Sequence, residues 1–269
     1  MPVLPDPFSG TSSPLGDALI SSLLAGTLAT TIGALPIVAF REPTRRLTDR
    51  LLAYAAGVML AACFFSLLGP AMESVQGAGG EALGPALLLA LAFGAGGGLV
   101  WTLNRWAPHE HFIKGVEGAH RATLARVWLF VMAIALHNLP EGLATGVGSA
   151  SGDLRIAMPI LVGIGLQNVP EGLAVAAGLT HAGYRRRVAF TTAALCGLVE
   201  PFGAALGALA MASAVALLPA ALAFAAGAML WVVSGEVIPE THREGTEGDA
   251  TVSLFAGFMT MMVVDAVLG

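Results

Sequence analysis

Apolar residues along this chain fall into long unbroken blocks, separated by short polar connections. Eight blocks reach the roughly 20 residues that a helix needs to cross a bilayer. They are Leu15–Phe40, Leu47–Pro70, Ala82–Leu103, Arg126–Ala150, Ile156–Thr180, Arg187–Met211, Val215–Gly235 and Ala250–Leu268. Two connections are longer than the rest, Asn104–Ala125 and Glu236–Asp249. The pattern predicts an all-α integral membrane protein of about eight transmembrane helices, forming a single polytopic domain over residues 1–269. Residues 1–14 contain no Lys or Arg and no apolar core, so they read as a short segment outside the membrane and not as a cleavable leader.

The basic residues orient these helices. Arg41, Arg45, Arg46 and Arg50 flank the first connection, and Arg105, Lys114, Arg121 and Arg126 the third. Arg185, Arg186 and Arg187 lie in the fifth connection and Arg243 in the seventh, while Arg155 alone falls in an even-numbered one. By the positive-inside rule the odd connections, including the loop 104–125, face the cytoplasm, and both termini are extracytoplasmic. Composition agrees. The chain is 56% apolar and 12% charged, against about 25% charged in a soluble domain. Its 34 glycines and 15 prolines suit packed membrane helices, in which small residues let backbones approach. A net charge of -5 gives no reason to expect a nucleic-acid partner. Cys63 and Cys196 both lie inside apolar blocks and make no disulfide framework.

A few residues do not belong in a greasy helix. An ionisable side chain at bilayer depth costs roughly 2.5–3.5 kcal/mol on insertion scales and marks a pathway or a site. The fourth block carries His137-Asn138-Leu139-Pro140-Glu141-Gly142, and the fifth carries Gln167-Asn168-Val169-Pro170-Glu171-Gly172. One polar cassette thus occurs twice, at similar depth in adjacent antiparallel helices. The sixth block adds Glu200-Pro201. His137 and Glu141 are four residues apart and share a helix face, as do Gln167 and Glu171. Each proline lacks an N–H and clashes with the carbonyl four residues back, which kinks helices four and five and frees an acceptor. Facing one another, the two kinked helices bring His137, Glu141, Gln167 and Glu171 together, with Asn138 and Asn168 lining an adjoining side. Imidazole with carboxylates suits zinc, iron and similar ions. Three glutamates without a cation would repel one another.

These residues resemble the ZIP family of metal transporters in its bacterial branch. The resemblance rests on HNLPEG at 137–142, QNVPEG at 167–172 and the Glu-Pro at 200–201, and spans nearly the whole chain. It implies a transporter moving divalent transition-metal cations, zinc foremost and also cadmium, iron or manganese, into the cytoplasm. It also implies a two-metal centre between helices four, five and six. One metal falls to His137, Glu141, Gln167 and Glu171. The other falls to Asn138, Asn168, Glu141, Glu171 and Glu200, with Glu141 and Glu171 bridging. A homodimer in the cell inner membrane is implied too, with helices one, four, five and six moving as an elevator against two, three, seven and eight. The chain departs from some relatives in having Asn at 168 in place of Asp, which weakens the second metal, and Gly at 235 in place of His.

Other residues are expected to serve the path. Met59 lies mid-block near the first metal's expected position, and its thioether suits a soft ion such as cadmium; core packing is the alternative. Cys63 shares the Met59 face. Ser66, Glu73 and Asp265 form an electronegative entrance that concentrates cations. Glu236, Glu240, His242, His109 and His111 form a cytoplasmic exit. Glycines 94, 96, 97, 98, 203 and 207 read as helix-packing or sliding surfaces, with no strand before them and no Lys after to make a phosphate loop. An intramembrane metallohydrolase would show His-Glu-x-x-His; this chain has one histidine within a block and no such motif, so no enzyme activity is expected. Beyond the transported ion no cofactor is expected.

Overall fold

The structure is a computed structural model that describes residues 13–39, 43–76, 83–106, 121–213, 215–242, 245 and 247–269. Among the described residues eight long helices follow in chain order: α1 Pro14–Ala39, α2 Arg45–Glu73, α3 Leu83–Trp106, α4 Arg121–Ala150, α5 Leu154–His181, α6 Arg186–Ala212, α7 Leu218–Thr241 and α8 Glu247–Leu268. Among the described residues no strand occurs. Seven of the helices are long and apolar enough to cross a membrane. The other, α4, has 30 residues, or roughly 45 Å of helix at 1.5 Å per residue. The protein is a multi-pass membrane protein.

Local chemistry sets the helix starts. Ser13 accepts from the Gly16 N–H at 3.2 Å with Pro14 next to it, Thr44 accepts from Leu47 N–H at 3.3 Å, and Asp153 accepts from Arg155 N–H at 2.9 Å; each satisfies a donor that a helix start leaves open. Three helices widen into a π turn part-way along, α1 at Leu23–Leu28, α2 at Cys63–Leu68 and α7 at Val233–Val237. Such turns are frequent at functional sites. The last of them corrects the expected connection Glu236–Asp249: the helix runs on to Thr241 and resumes at Glu247, so Glu236 and Glu240 sit on α7. At the other long connection, α3 runs to Trp106 and α4 begins at Arg121.

Glycines pair the helices, each filling the other's gap. A Cβ on Gly33 of α1 would overlap the Val169 carbonyl of α5, and one on Gly172 of α5 would overlap the Thr30 carbonyl of α1. The same reciprocity joins α4 to α6 (Gly142 on Glu200, Gly203 on Leu139), α2 to α8 (Gly57 on Leu254, Gly257 on Tyr54) and α3 to α7 (Gly96 on Phe224, Gly227 on Phe93). Backbones in contact gain dispersion energy that lipid tails cannot replace. The pairs assemble into two groups, α1/α4/α5/α6 and α2/α3/α7/α8, which meet mainly where α2 packs on α5 and α7 on α4. At that boundary the close contact is softer. Gly163 of α5 faces the flexible Met261 side chain, with Sδ 2.8 Å from an ideal Cβ.

Candidate metal centre

Helix α6 breaks between Cys196 and Val199. The cause is Pro201, which cannot bond to the carbonyl four residues back at Gly197 and clashes with it. Two carbonyls at the break are taken by side chains from other helices. Gly197 accepts from Thr27 Oγ1 at 2.8 Å, and Cys196 accepts from Asn138 Nδ2 at 2.9 Å. The break thus ties α6 to α1 and α4 and fixes Glu200 just beyond it.

Around Glu200 the structure gathers the duplicated cassettes. Glu141, Glu171 and Glu200 are 0%, 3% and 0% exposed, and His137, Asn138, Gln167 and Asn168 are all buried. Gln167 Nε2 donates to Glu141 Oε1 at 2.6 Å. Asn168 Nδ2 donates to the Ala25 carbonyl at 3.3 Å, and its Oδ1 accepts from Thr30 Oγ1 at 3.2 Å. His137 Nε2 lies 3.2 Å from Glu236 Oε2, linking α4 to α7 across the boundary between the two groups of helices. The Glu200 carboxylate lies against Gly26, where any Cβ would strike it.

Six oxygens in this cluster are buried without a partner in the protein: Asn138 Oδ1, Glu141 Oε2, Gln167 Oε1, Glu171 Oε1 and both carboxylate oxygens of Glu200. All six are acceptors. Asn138 and Gln167 each direct an amide N–H, to Cys196 and Glu141 respectively, which leaves their oxygens turned to other use. A stray buried polar atom costs roughly 1–3 kcal/mol, and native interiors hold few of them. A concentration of acceptors of this kind suits a cation. As the side chains stand, no three His, Cys, Asp or Glu groups among the described residues close around one point. The groups here that could hold an ion are the carboxylates together with the amide oxygens.

Other expected residues are placed as follows. Met59 is buried in the main apolar cluster with Cys63 and Leu67. Ser66 Oγ donates to Asp265 Oδ1 at 2.8 Å, joining α2 to α8, while Glu73 is exposed near the end of α2. His242 Nε2 meets Thr251 Oγ1 at 3.1 Å and its Nδ1 meets the Ile238 carbonyl at 3.0 Å, so its ring spans the turn between α7 and α8. Glu240 is half-buried on α7. His109 and His111 lie outside the described residues. Three contributors escape a reading of the sequence: the Ala25 carbonyl, Gly26 and Thr30, all on α1. The sequence signal for them is a run of small residues over Ala25–Thr31, broken only by Leu28.

A family model described as ZIP Zinc transporter matches residues 107–265. The chain belongs to the ZIP zinc transporter family. It is 46% identical over 250 residues to zinc transporter ZIPB of Bordetella bronchiseptica, covering 91% of this chain and 79% of that one. It is 44% identical to zinc transporter GufA of Myxococcus xanthus, covering 95% and 100%. It is 32% identical to zinc transporter ZIP11 of Bos taurus, covering 96% and 98%. Relatedness to this ZIP family therefore extends over nearly the whole chain, including α1, α2 and α3, which precede the matched segment.

Proposed function

We propose that this chain carries zinc, and related divalent ions, across a bacterial inner membrane into the cytoplasm through the centre built on His137, Asn138, Glu141, Gln167, Asn168, Glu171 and Glu200. The observation that carries the reading is the set of six buried acceptor oxygens without a donor, gathered from α4, α5 and α6. Membership of a family whose relatives are named zinc transporters supports zinc as the cargo. Carriage and not catalysis is supported by the same names and by a centre with one histidine. Inward direction rests on the membrane potential, which favours entry by about 4.6 kcal/mol per divalent ion per 100 mV, and orientation on the basic residues, twelve of thirteen of which flank odd connections.

Ser66 with Asp265 offers an outer mouth, and Glu236 an inner relay reached from His137. The glycine pairs join α1 to α5, α4 to α6, α2 to α8 and α3 to α7, all within a group, and among the described residues no such pair spans the boundary. That division favours α1/α4/α5/α6 moving as one body past α2/α3/α7/α8, each chain doing so within a homodimer. The reading is tested by zinc flux into proteoliposomes with cadmium, iron and manganese as competitors; no saturable flux would overturn it.

Acid weakens binding at such a centre. His137 must be neutral and the glutamates ionised to hold a metal, so protons compete with the ion. Apparent zinc affinity is expected to fall as pH drops from about 7.5 to about 5.5. Equal half-saturating zinc at both values would count against imidazole and carboxylate ligands.

Asn168→Asp is expected to strengthen the second metal position and slow turnover. Two divalent ions bring four positive charges, against three negative ones from Glu141, Glu171 and Glu200. In the substituted protein the group facing the Ala25 carbonyl is an oxygen and no longer a donor, so the carboxylate turns away from Ala25 and toward the centre. A charge about 4 Å from the ion is worth about 4 kcal/mol at an effective dielectric of about 20, before desolvation reduces it. Metal stoichiometry by titration, together with initial uptake rate, reads the effect. If neither changes, Asn168 does not face a metal.

A further inference from the structure

Beyond the centre, unpaired polar atoms continue in one direction. On α4, Glu141, Thr145 and Ser149 follow one another at four-residue steps along a single face. Thr145 is fully buried, and neither its Oγ1 nor Ser149 Oγ has a partner in the protein. On α1, Ser22 stands one turn before Gly26, the residue that touches the Glu200 carboxylate. Ser22 and Ser21 are 0% and 2% exposed, and both hydroxyls are unpaired.

Packing brings the two rows to the same place. Ala18 of α1, one turn beyond Ser22, clusters with Ala204 and Ala208 of α6, and Ala150 of α4 packs against them. Gly142 and Gly146 of α4 rest on the carbonyls of Glu200 and Ala204. Ser22 and Thr145 therefore both lie at the level between Glu200 and Ala204. The rows end in a cavity of about 70 Å³ lined by Asp17, Ser21, Ser149, Gly152, Asp153 and Leu161. Asp153 is held there by Arg155, whose Nη2 lies 2.9 Å from its Oδ2.

We propose that this is a water file, a second opening of the centre that runs between α1 and α4, with α5 as the third wall at its end, to the Asp17/Asp153 cavity. The spacing suits single waters. One helical turn is about 5.4 Å, within the outer reach of two O–H···O bonds of about 2.7–2.8 Å through one water. A buried water typically makes about three hydrogen bonds to otherwise unsatisfied groups, and this file supplies four such hydroxyls. No carboxylate interrupts it between the centre and the cavity, and α4 and α6 touch backbone to backbone beside it, so it passes water and not the metal. Its role rests on the reading of the glutamates as a metal centre: when the ion leaves, water entering by this route solvates their unpaired oxygens and eases return of the empty carrier.

Radiolytic footprinting tests the file with water itself as the probe. A brief X-ray pulse makes hydroxyl radicals from water beside a side chain, and mass spectrometry reads the oxidation. In purified zinc-free protein, the new thiols of Thr145→Cys and of Ser22→Cys are expected to oxidise about tenfold faster than that of Ala144→Cys, which is equally buried among apolar side chains. Two separate file positions guard against one variant failing to fold. Oxidation of both at the Ala144→Cys rate overturns the file whatever the transport result, and labelled thiols without zinc flux in wild type overturn the metal reading instead. Thr145→Val, which removes only the hydroxyl, is expected to slow zinc uptake several-fold at unchanged half-saturating zinc; an unchanged rate overturns the role assigned to the water.

Discussion

Glu141→Ala and Glu171→Ala are each expected to abolish zinc uptake while the helices remain packed. Both carboxylates are almost fully buried, and each leaves one oxygen without a partner in the protein. Taking away one charged ligand about 4 Å from the ion removes about 4 kcal/mol at an effective dielectric of about 20. At about 1.4 kcal/mol per decade, that is nearly three orders of magnitude in affinity. Folding loses less. In Glu141→Ala the Gln167 amide loses its acceptor, at roughly 1–3 kcal/mol, and relief of repulsion among the three carboxylates offsets part of that. Zinc titration of the purified variants reads the affinity, and circular dichroism and monodispersity in detergent read the fold. Wild-type affinity in either folded variant would remove these residues from the centre.

The second large effect concerns packing. Gly142→Val places a branched side chain where even a Cβ overlaps the Glu200 carbonyl. No flexible atom can give way, so α4 and α6 must separate at the level of the centre. Overpacking of this kind costs typically 1–3 kcal/mol, occasionally more, and here it also shifts Glu200. The expected outcome is a lower melting temperature and loss of zinc uptake even in the fraction that folds. Gly94→Ala makes the contrast. A Cβ there meets nothing within 4 Å, and alanine is favoured over glycine in a helix by about 1 kcal/mol, so melting should be unchanged or raised. Equal melting temperatures for wild type and Gly142→Val would show that the α4–α6 contact is looser than the glycine pairing implies.

Much of this architecture is legible in the sequence because the membrane simplifies the code. A helix that must be apolar throughout makes His137, Glu141, Glu171 and Glu200 conspicuous, and the doubled cassette led to reading them as one set. The extent of α7 was not legible. Glu236 and Glu240 read as the start of a polar loop, yet Glu236 is a half-buried helical residue beside His137. Local polarity marks solvent only where no buried partner waits, and that partner lies about a hundred residues away in the chain. The share of α1 in the centre was hidden for another reason. Its contributions are a carbonyl at Ala25, the missing side chain of Gly26 and the hydroxyl of Thr30. Backbone groups leave no mark on composition, and a glycine that makes room for a carboxylate looks like one that packs against a helix. Of the paired glycines only Gly96 and Gly203 were read as packing surfaces, and Gly94 and Gly98, read the same way, meet nothing within 4 Å; reciprocity appears only once the helices are placed side by side.

The central claim is that zinc crosses the membrane through the buried carboxylate centre. Zinc accumulation in proteoliposomes, compared between wild type and folded Glu171→Ala, tests it most directly. Saturable uptake by wild type and none above protein-free vesicles by Glu171→Ala is the expected result; equal uptake by the two, or none by wild type, would contradict it.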